Sequence, residues 1–366
     1  MTKEMLLDRL KKIKEKMIER EINYLILSPS ENFLFLTGFE ILQDERMHLM
    51  VITQKGETYF ILPEMSKEIF QKNIIYGEIL PWDETTNPSE FLRRIVKNDS
   101  NTKIAIDDKM WSANLLSIQE ILTKAKFVKV SEVMSDFRII KENEEIKKLE
   151  RIANITDKVM KKIIKEVAIG MSEKQVSMRI EYLFKELGAE GISFVPLVAS
   201  GVNGSIPHHI PSNKKIQKKE FVIFDIGGVL EGYRSDMTRT ICLGEPNDQM
   251  KKIYKIVKKA HEKACKEVYP GKMCSEIDKA ARNVIEKMNY GKYFTHRTGH
   301  GIGLDFHEPP FILGNNKRQI DTGMVFSIEP GIYLPEKFGV RIEDIVVVTE
   351  KGFKILTNFT RELIIK

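Results

Sequence analysis

Cysteine is scarce in this chain. Cys242, Cys265 and Cys274 are the only three in 366 residues, and no CxxC pair occurs. Thiols so few and so scattered exclude a disulfide framework and point to a reducing compartment. Long apolar runs are missing too. No stretch approaches the ~20 residues of a membrane span. The opening MTKEMLLDRLKKIKEKM is charged from residue 3 and has no continuous apolar core of the kind a secretory signal carries. A cytoplasmic protein without an anchor is expected. Neither charge sign dominates: 58 Lys and Arg stand against 52 Asp and Glu, interspersed along the chain, for a net charge of +6. That pattern suits a solvated surface and argues against nucleic-acid binding. There is no low-complexity segment and no short-period repeat. The glycines of DIGGV lack both the GxGxxG spacing and a following helix, which excludes a nucleotide fingerprint.

What is present is enough apolar material for more than one core. Hydrophobic residues make up 42% of a chain too long for one ordinary domain. Leu6, Leu10, Ile13 and Met17 mark one face of a helix over residues 4–20. Strands are predicted at YLILS, HLMVITQKG and ETYFILP, the last two turning at Gly56, and again at KIAIDD after a helix opened by Asn87-Pro88-Ser89. This alternation predicts a small α/β domain over residues 1–136. From Lys141 to Val167 the spacing of Leu149, Ile152, Val159 and Ile163 predicts one long helix, ended by Gly170. Ser172 is placed to cap the next helix. Two more helices are predicted near 248–268 and 275–289, with strand-rich blocks on either side. Residues 137–366 are therefore expected to form an α+β domain, with helices on the outer face of one antiparallel sheet.

The strand-rich blocks carry the acidic residues of interest. FVIFD and SDMTRTICL, read as a hairpin centred between Leu230 and Glu231, would place Asp225 directly opposite Asp236. FSIEPGIY and GVRIEDIVVV, centred on residue 336, would place Glu329 opposite Glu343. Facing carboxylates repel, and burying them unpaired costs several kcal/mol. A cation resolves the conflict, and two pairs converging on one sheet fit two metals about 3.5–4 Å apart. Between the blocks, FTHRTGHGIGLDFHEPP holds His296, His300 and His307, with glycines on both sides of His300 that let the backbone approach closely. His208 and His209 follow Pro207 in another loop. Each residue alone has a blander explanation as a hydrogen-bonded structural group, and pattern alone leaves both readings open. His48 and His261 have no evident partners and read as surface or packing residues.

The segments FDIGGVLEGYRSDMTRT, HRTGHGIGLDFHEPP, SIEPGIY and GVRIEDIVVVT resemble, in order and spacing, the pita-bread metallopeptidases, the family of prolidase, aminopeptidase P and methionine aminopeptidase. The first ~135 residues resemble the creatinase-type domain of prolidase and aminopeptidase P, most clearly at NFLFLTGFE. The resemblance implies a pita-bread fold for the second domain. It implies five metal ligands at Asp225, Asp236, His300, Glu329 and Glu343, with Asp236 and Glu343 bridging two divalent ions. Asp225 would hold one ion, and His300 and Glu329 the other. Substrate-contacting histidines would be His208 and His307, with His296 and Arg341 as further site residues. The expected chemistry is attack by a metal-bridging hydroxide, with Glu329 relaying the proton to the leaving amine. Four carboxylates and one imidazole suit manganese first, then cobalt or zinc.

The resemblance further implies short proline-containing peptides as substrates and a homodimer. An Xaa-Pro dipeptidase is the first expectation. An aminopeptidase P acting on longer peptides is the alternative. A non-catalytic binding module on the same fold is disfavoured, because all five ligand positions are kept.

Overall fold

The computed structural model describes residues 3–366. Two compact units divide the chain, one ending at Arg138 and the other spanning Ile139–Lys366.

In the first unit, Leu6, Leu10, Ile13 and Met17 are all buried along the Lys3–Glu19 helix, as their spacing requires. The unit also holds a six-stranded sheet in the order Glu78–Trp82, Thr58–Pro63, Leu49–Thr53, Tyr24–Leu27, Lys103–Ile106, Lys126–Lys129. Tyr24–Leu27 pairs antiparallel with Leu49–Thr53 and parallel with Lys103–Ile106. Its unbroken apolar sequence belongs to a central strand covered on both faces. Gly56, at φ +108°, makes the turn between the strands on either side of it. The Glu31–Thr37 helix has no polar face to betray it in the sequence. It is set by its ends: Ser30 accepts from the Phe33 amide, and Gly38 closes the last turn in the left-handed region.

The second unit is built from two helix pairs. The first pair is Asn143–Glu166 and Glu173–Glu186. Ser172 and Gln175 form the reciprocal cap that starts the latter helix. Ile152, Val159, Ile163, Ile180 and Phe184 pack there against Val222, Phe224 and Ile241. The second pair, Asp248–Lys266 and Cys274–Lys287, packs Ile253, Val257, Ile277 and Ala281 against Phe326, Ile328 and Val346. Each pair thus covers a different part of the β structure.

The single expected sheet is in fact four pieces, all antiparallel. A three-stranded sheet runs Met237–Leu243, Glu220–Ile226, Leu197–Ser200. A five-stranded sheet runs Glu308–Ile312, Gly299–Gly301, Val325–Ile328, Asp344–Thr349, Gly352–Ile355. A three-stranded ribbon holds Tyr233–Arg234, Gly228–Leu230 and Gly191–Ile192, and the pair Gly331–Leu334 and Phe338–Arg341 completes the set. The breaks have local causes. Pro330 has no N–H to give a ladder. At Gly227 a Cβ would lie 2.1 Å from the Ser235 carbonyl oxygen, too close for any other residue. Asp236, Glu329 and Glu343 all sit at these interruptions, between strands and outside the regular ladder.

Candidate active site

The first hairpin differs from the expected register. Asp225 pairs with Thr238, and Met237 with Ile226, so Asp236 lies beyond the end of the Met237–Leu243 ladder. The turn explains the offset. Leu230 pairs with Tyr233, leaving Glu231 and Gly232 as a two-residue loop in which both have positive φ, 50° and 77°. That geometry is the type I′ hairpin turn, whose twist matches the strands. It centres the hairpin between Glu231 and Gly232, one position later than expected. Asp225 and Asp236 are therefore offset along the strands. The second hairpin keeps the expected register: Ile328 pairs with Asp344 and Gly331 with Arg341, which puts Glu329 and Glu343 at facing positions of the interrupted ladder.

The structure brings all five expected ligand residues to the wall of one cavity of about 510 Å³, together with His208, His296, His307 and Arg341. Donor atoms of Asp236, His300 and Glu343 lie within 4.8 Å of one another, and all three residues are buried. His300 Nδ1 faces its neighbour's carbonyl, Gly301 O, at 3.1 Å. That bond assigns the ring proton to Nδ1 and leaves the Nε2 lone pair facing Asp236 Oδ2 at 3.6 Å and Glu329 Oε1 at 3.5 Å. Close backbone approach holds the strand: a Cβ at Gly299 would sit 1.8 Å from the Ser327 carbonyl oxygen, and one at Gly301 2.2 Å from that of Pro309.

The carboxylates leave hydrogen-bonding capacity unused. Asp225 Oδ1, Asp236 Oδ1 and Glu343 Oε1 are buried and have no partner, whereas most buried polar atoms do. The second oxygens of Asp225 and Glu343 are committed. Asp225 Oδ2 accepts from Arg341 Nη2 at 2.6 Å, and Glu343 Oε2 accepts from Thr238 Oγ1 at 2.7 Å. Burial and the crowding of Glu343, Asp225 and Glu329 push Asp236 well above the usual carboxylate range, and burial with Glu329 and Asp225 does the same to Glu343. Burial raises Glu329 to about 7, partly offset by Arg341. Oxygen donors of this number and charge, with one imidazole, fit hard or borderline divalent cations.

His296 and His307 are held neutral. Burial lowers His307 to about 4, helped by the Arg297 charge. Its ring meets that of His300 edge-on, with centroids 4.1 Å apart. Burial, then Arg341, lowers His296 to about 3; its nitrogens face Arg297 O at 2.7 Å and the Tyr333 hydroxyl at 2.8 Å. His208 lies exposed at the cavity wall.

Several residues escaped the sequence reading. Phe194, Phe306 and Arg297 line the cavity. Tyr333 bridges His296 to Arg341. Glu173, at the start of a distant helix, has a fully buried side chain and gathers the loop that carries His208. It accepts from Ser200 N and Oγ, Asn203 Nδ2, and Ser212 N and Oγ, and its Oε2 lies 2.8 Å from His209 Nε2. His261 is also partnered, contrary to expectation. It is buried, with Nε2 3.0 Å from Asp344 Oδ2, and Asp344 in turn accepts from Arg239, which also donates to the Glu343 carbonyl. His48 is buried as well, with Nδ1 3.0 Å from the Arg46 carbonyl.

Fold and site together define a two-domain metallopeptidase. Residues 147–350 match metallopeptidase family M24, and residues 9–140 match the creatinase/prolidase N-terminal domain. A Pyrococcus horikoshii protein named Xaa-Pro dipeptidase is 35% identical, over 98% of this chain and 99% of its own. The crystal structure of recombinant prolidase from Thermococcus sibiricus aligns at 41% identity and a TM-score of 0.94, covering 98% of each chain. That of an X-Pro aminopeptidase from Thermotoga maritima aligns at 28% identity and a TM-score of 0.85, over 98% of this chain and 99% of that one. The chain belongs to metallopeptidase family M24. Among the described residues, no helix is long and apolar enough to cross a membrane.

Proposed function

We propose that the protein is an Xaa-Pro dipeptidase, hydrolysing the bond between an N-terminal residue and a C-terminal proline. One observation carries the chemistry: donor atoms of Asp236, Glu343 and His300 lie within 4.8 Å of one another in a cavity sized for a small ligand, where one carboxylate oxygen each of Asp225, Asp236 and Glu343 is buried without a partner. Full-length relatives named as prolidases support the choice of substrate.

In this reading Asp236 and Glu343, with Asp225 on one side and His300 and Glu329 on the other, would hold two divalent ions. When bound, such a pair supplies a nucleophile active near neutral pH and polarises the scissile carbonyl. Glu329 accepts the nucleophile's proton and returns it to the leaving amine. His208 or His307 donates to the developing oxyanion, and a neutral His307 retains the N–H this needs. His296, fixed by the Tyr333 hydroxyl, and Arg341, fixed by Asp225, hold the wall in place. A bond to proline lacks the amide N–H that other peptidases grip, so shape and the far end of the substrate must supply selectivity.

Manganese is the first choice of metal, with cobalt or zinc next. A cytoplasmic homodimer that binds neither nucleic acid nor membrane completes the proposal; sedimentation as a monomer would refute the dimer. The second reading is an aminopeptidase P, favoured by the Thermotoga structure. Purified enzyme with manganese, offered Ala-Pro and Ala-Pro-Ala, separates the two: the dipeptidase cleaves the first much faster. No bound metal by elemental analysis, and no activity on either peptide, would favour a non-catalytic module.

A further inference from the structure

The irregular stretch at residues 294–298 leads into the strand that carries His300, and its backbone carbonyls are satisfied from outside any regular ladder. One guanidinium collects two of them. Arg282, on the Cys274–Lys287 helix, donates from Nη1 to Phe294 O at 3.1 Å and from Nη2 to His296 O at 2.6 Å. The Arg297 carbonyl faces His296 Nδ1 at 2.7 Å. The Thr298 carbonyl accepts from the Glu329 amide at 2.7 Å. Pro330 follows Glu329 and has no N–H to add a second tie, so Thr298 is the amide anchor of Glu329.

Asp278 holds both ends of this arrangement. It is fully buried on the same helix. Its Oδ2 accepts from Arg282 Nε at 2.8 Å and its Oδ1 from Arg282 Nη2 at 3.1 Å, a two-point pairing that aims the guanidinium. Oδ1 also accepts from Thr298 Oγ1 at 2.7 Å. The carboxylate therefore fixes the arginine that grips the His296 carbonyl and, directly, the residue that anchors Glu329. A buried ion pair adds little stability over an apolar pair of the same volume, so its geometry is what sets it apart. Apolar side chains could seat the helix, but they could not bind two carbonyls and a hydroxyl in fixed directions.

We propose that Asp278 and Arg282 are positioning residues for peptide hydrolysis: through Thr298 they set the place of Glu329 in the cavity, and through the His296 carbonyl they set the wall beside it. The assignment rests on the reaction proposed above and deepens it. Neither side chain lines the cavity. Both act on the step that Glu329 performs, the transfer of a proton to the leaving amine, where a misplacement of about 1 Å can cost about 100-fold in rate.

The test reads kcat and KM separately on Ala-Pro at saturating manganese, and measures the manganese dissociation constant by calorimetry. Thr298→Val removes one hydroxyl and keeps the volume. It is expected to lower kcat about tenfold, to leave KM within about twofold, and to weaken manganese binding, because Glu329 is also a proposed ligand. Thr298→Ser, which keeps the hydroxyl, is expected to hold kcat within about threefold of wild type. Asp278→Asn, which unpairs Arg282, is expected to lose about 100-fold in kcat. Should that variant fail to fold, the valine and serine pair decides alone. A purely structural role gives a different pattern: a lower melting temperature in each variant, with kcat per folded enzyme and manganese affinity unchanged. That pattern, a loss confined to KM, or a serine variant as slow as the valine one would overturn the positioning role and leave the dipeptidase reading standing. Wild type that cleaves Ala-Pro-Ala but not Ala-Pro overturns the dipeptidase reading alone, and the variants are then compared on the tripeptide.

Discussion

Arg341 Nη2 and Asp225 Oδ2 meet at 2.6 Å, and this contact divides the carboxylate between two tasks: one oxygen holds the arginine while the other, buried and unpartnered, faces the cavity. The same guanidinium reaches Tyr333, Thr238 and the Pro207 carbonyl, so one side chain ties the ligand strand to the loop before His208. Arg341→Met is expected to lower kcat/KM by about 100-fold, or ~2.7 kcal/mol. Arg341→Lys is not expected to restore it, because a single ammonium cannot serve four acceptors in fixed directions. Steady-state kinetics at saturating manganese decides the matter, and a lysine variant with near-normal turnover would contradict this account.

Asp236→Asn and Glu343→Gln each remove one charge from a crowded, buried set. The fold, read by circular dichroism, is expected to survive, since the neutral isosteres relieve repulsion. Peptide hydrolysis is expected to drop to background. The clearer readout is metal-linked stability: at 100 times its dissociation constant manganese raises wild-type stability by about 2.7 kcal/mol. Either variant gains much less at the same concentration. A variant that keeps the wild-type gain, or near-normal turnover, rules out the shared-ligand roles.

The sequence made some of this geometry legible and concealed the rest. Facing placement of Glu329 and Glu343 followed from the hairpin centre at residue 336, because the strands on both sides keep one register. The first hairpin was misplaced by one position. Its turn uses Glu231 at positive φ, an uncommon conformation for a non-glycine residue, so the sequence pointed to the wrong centre. The expected single sheet broke up where Gly227 and Pro330 interrupt the ladders, and neither break has a periodicity to reveal it. Glu173 lay beyond pattern reading altogether. It stands at the first turn of a helix, where an acidic residue needs no special explanation, and its partners are 27 to 39 residues away in sequence. Arg297 was hidden for a similar reason, sitting one residue after a histidine that drew the attention.

Glu173 gives a pH-dependent prediction. Burial works against its charge, yet hydrogen bonds from Ser200, Ser212, His209 and Asn203 outweigh burial and hold it at about 2, below the ordinary glutamate value of 4.5. A depressed folded-state value contributes stability that is complete above about pH 4.5 and is lost as the pH falls towards 2. Glu173→Gln keeps the shape but presents an amide to a ring of donors. It is expected to cost about 2 kcal/mol or more at pH 7, and its stability is expected to fall less steeply than that of wild type between pH 4.5 and 2. Because the loop carries His208, KM for Ala-Pro is expected to rise as well. Denaturation midpoints measured across that range test the prediction, and parallel curves for the two proteins would refute it.

Lys141 and Glu308 form an ion pair at 2.6 Å, with side chains only 2% and 5% exposed. Glu308 follows His307 directly, and Gly303 packs so closely on its carboxylate that a Cβ there would lie 2.6 Å from Oε1. The pair therefore fixes the loop between His300 and His307 from below. Removing the lysine leaves a buried carboxylate without its cation, which typically costs about 3–5 kcal/mol. Lys141→Met is expected to lower the urea midpoint accordingly and to reduce turnover through misplacement of His307. Lys141→Arg, which keeps the charge, is expected to retain most of both. A methionine variant losing less than about 1 kcal/mol would show that the surrounding groups carry Glu308 without the lysine.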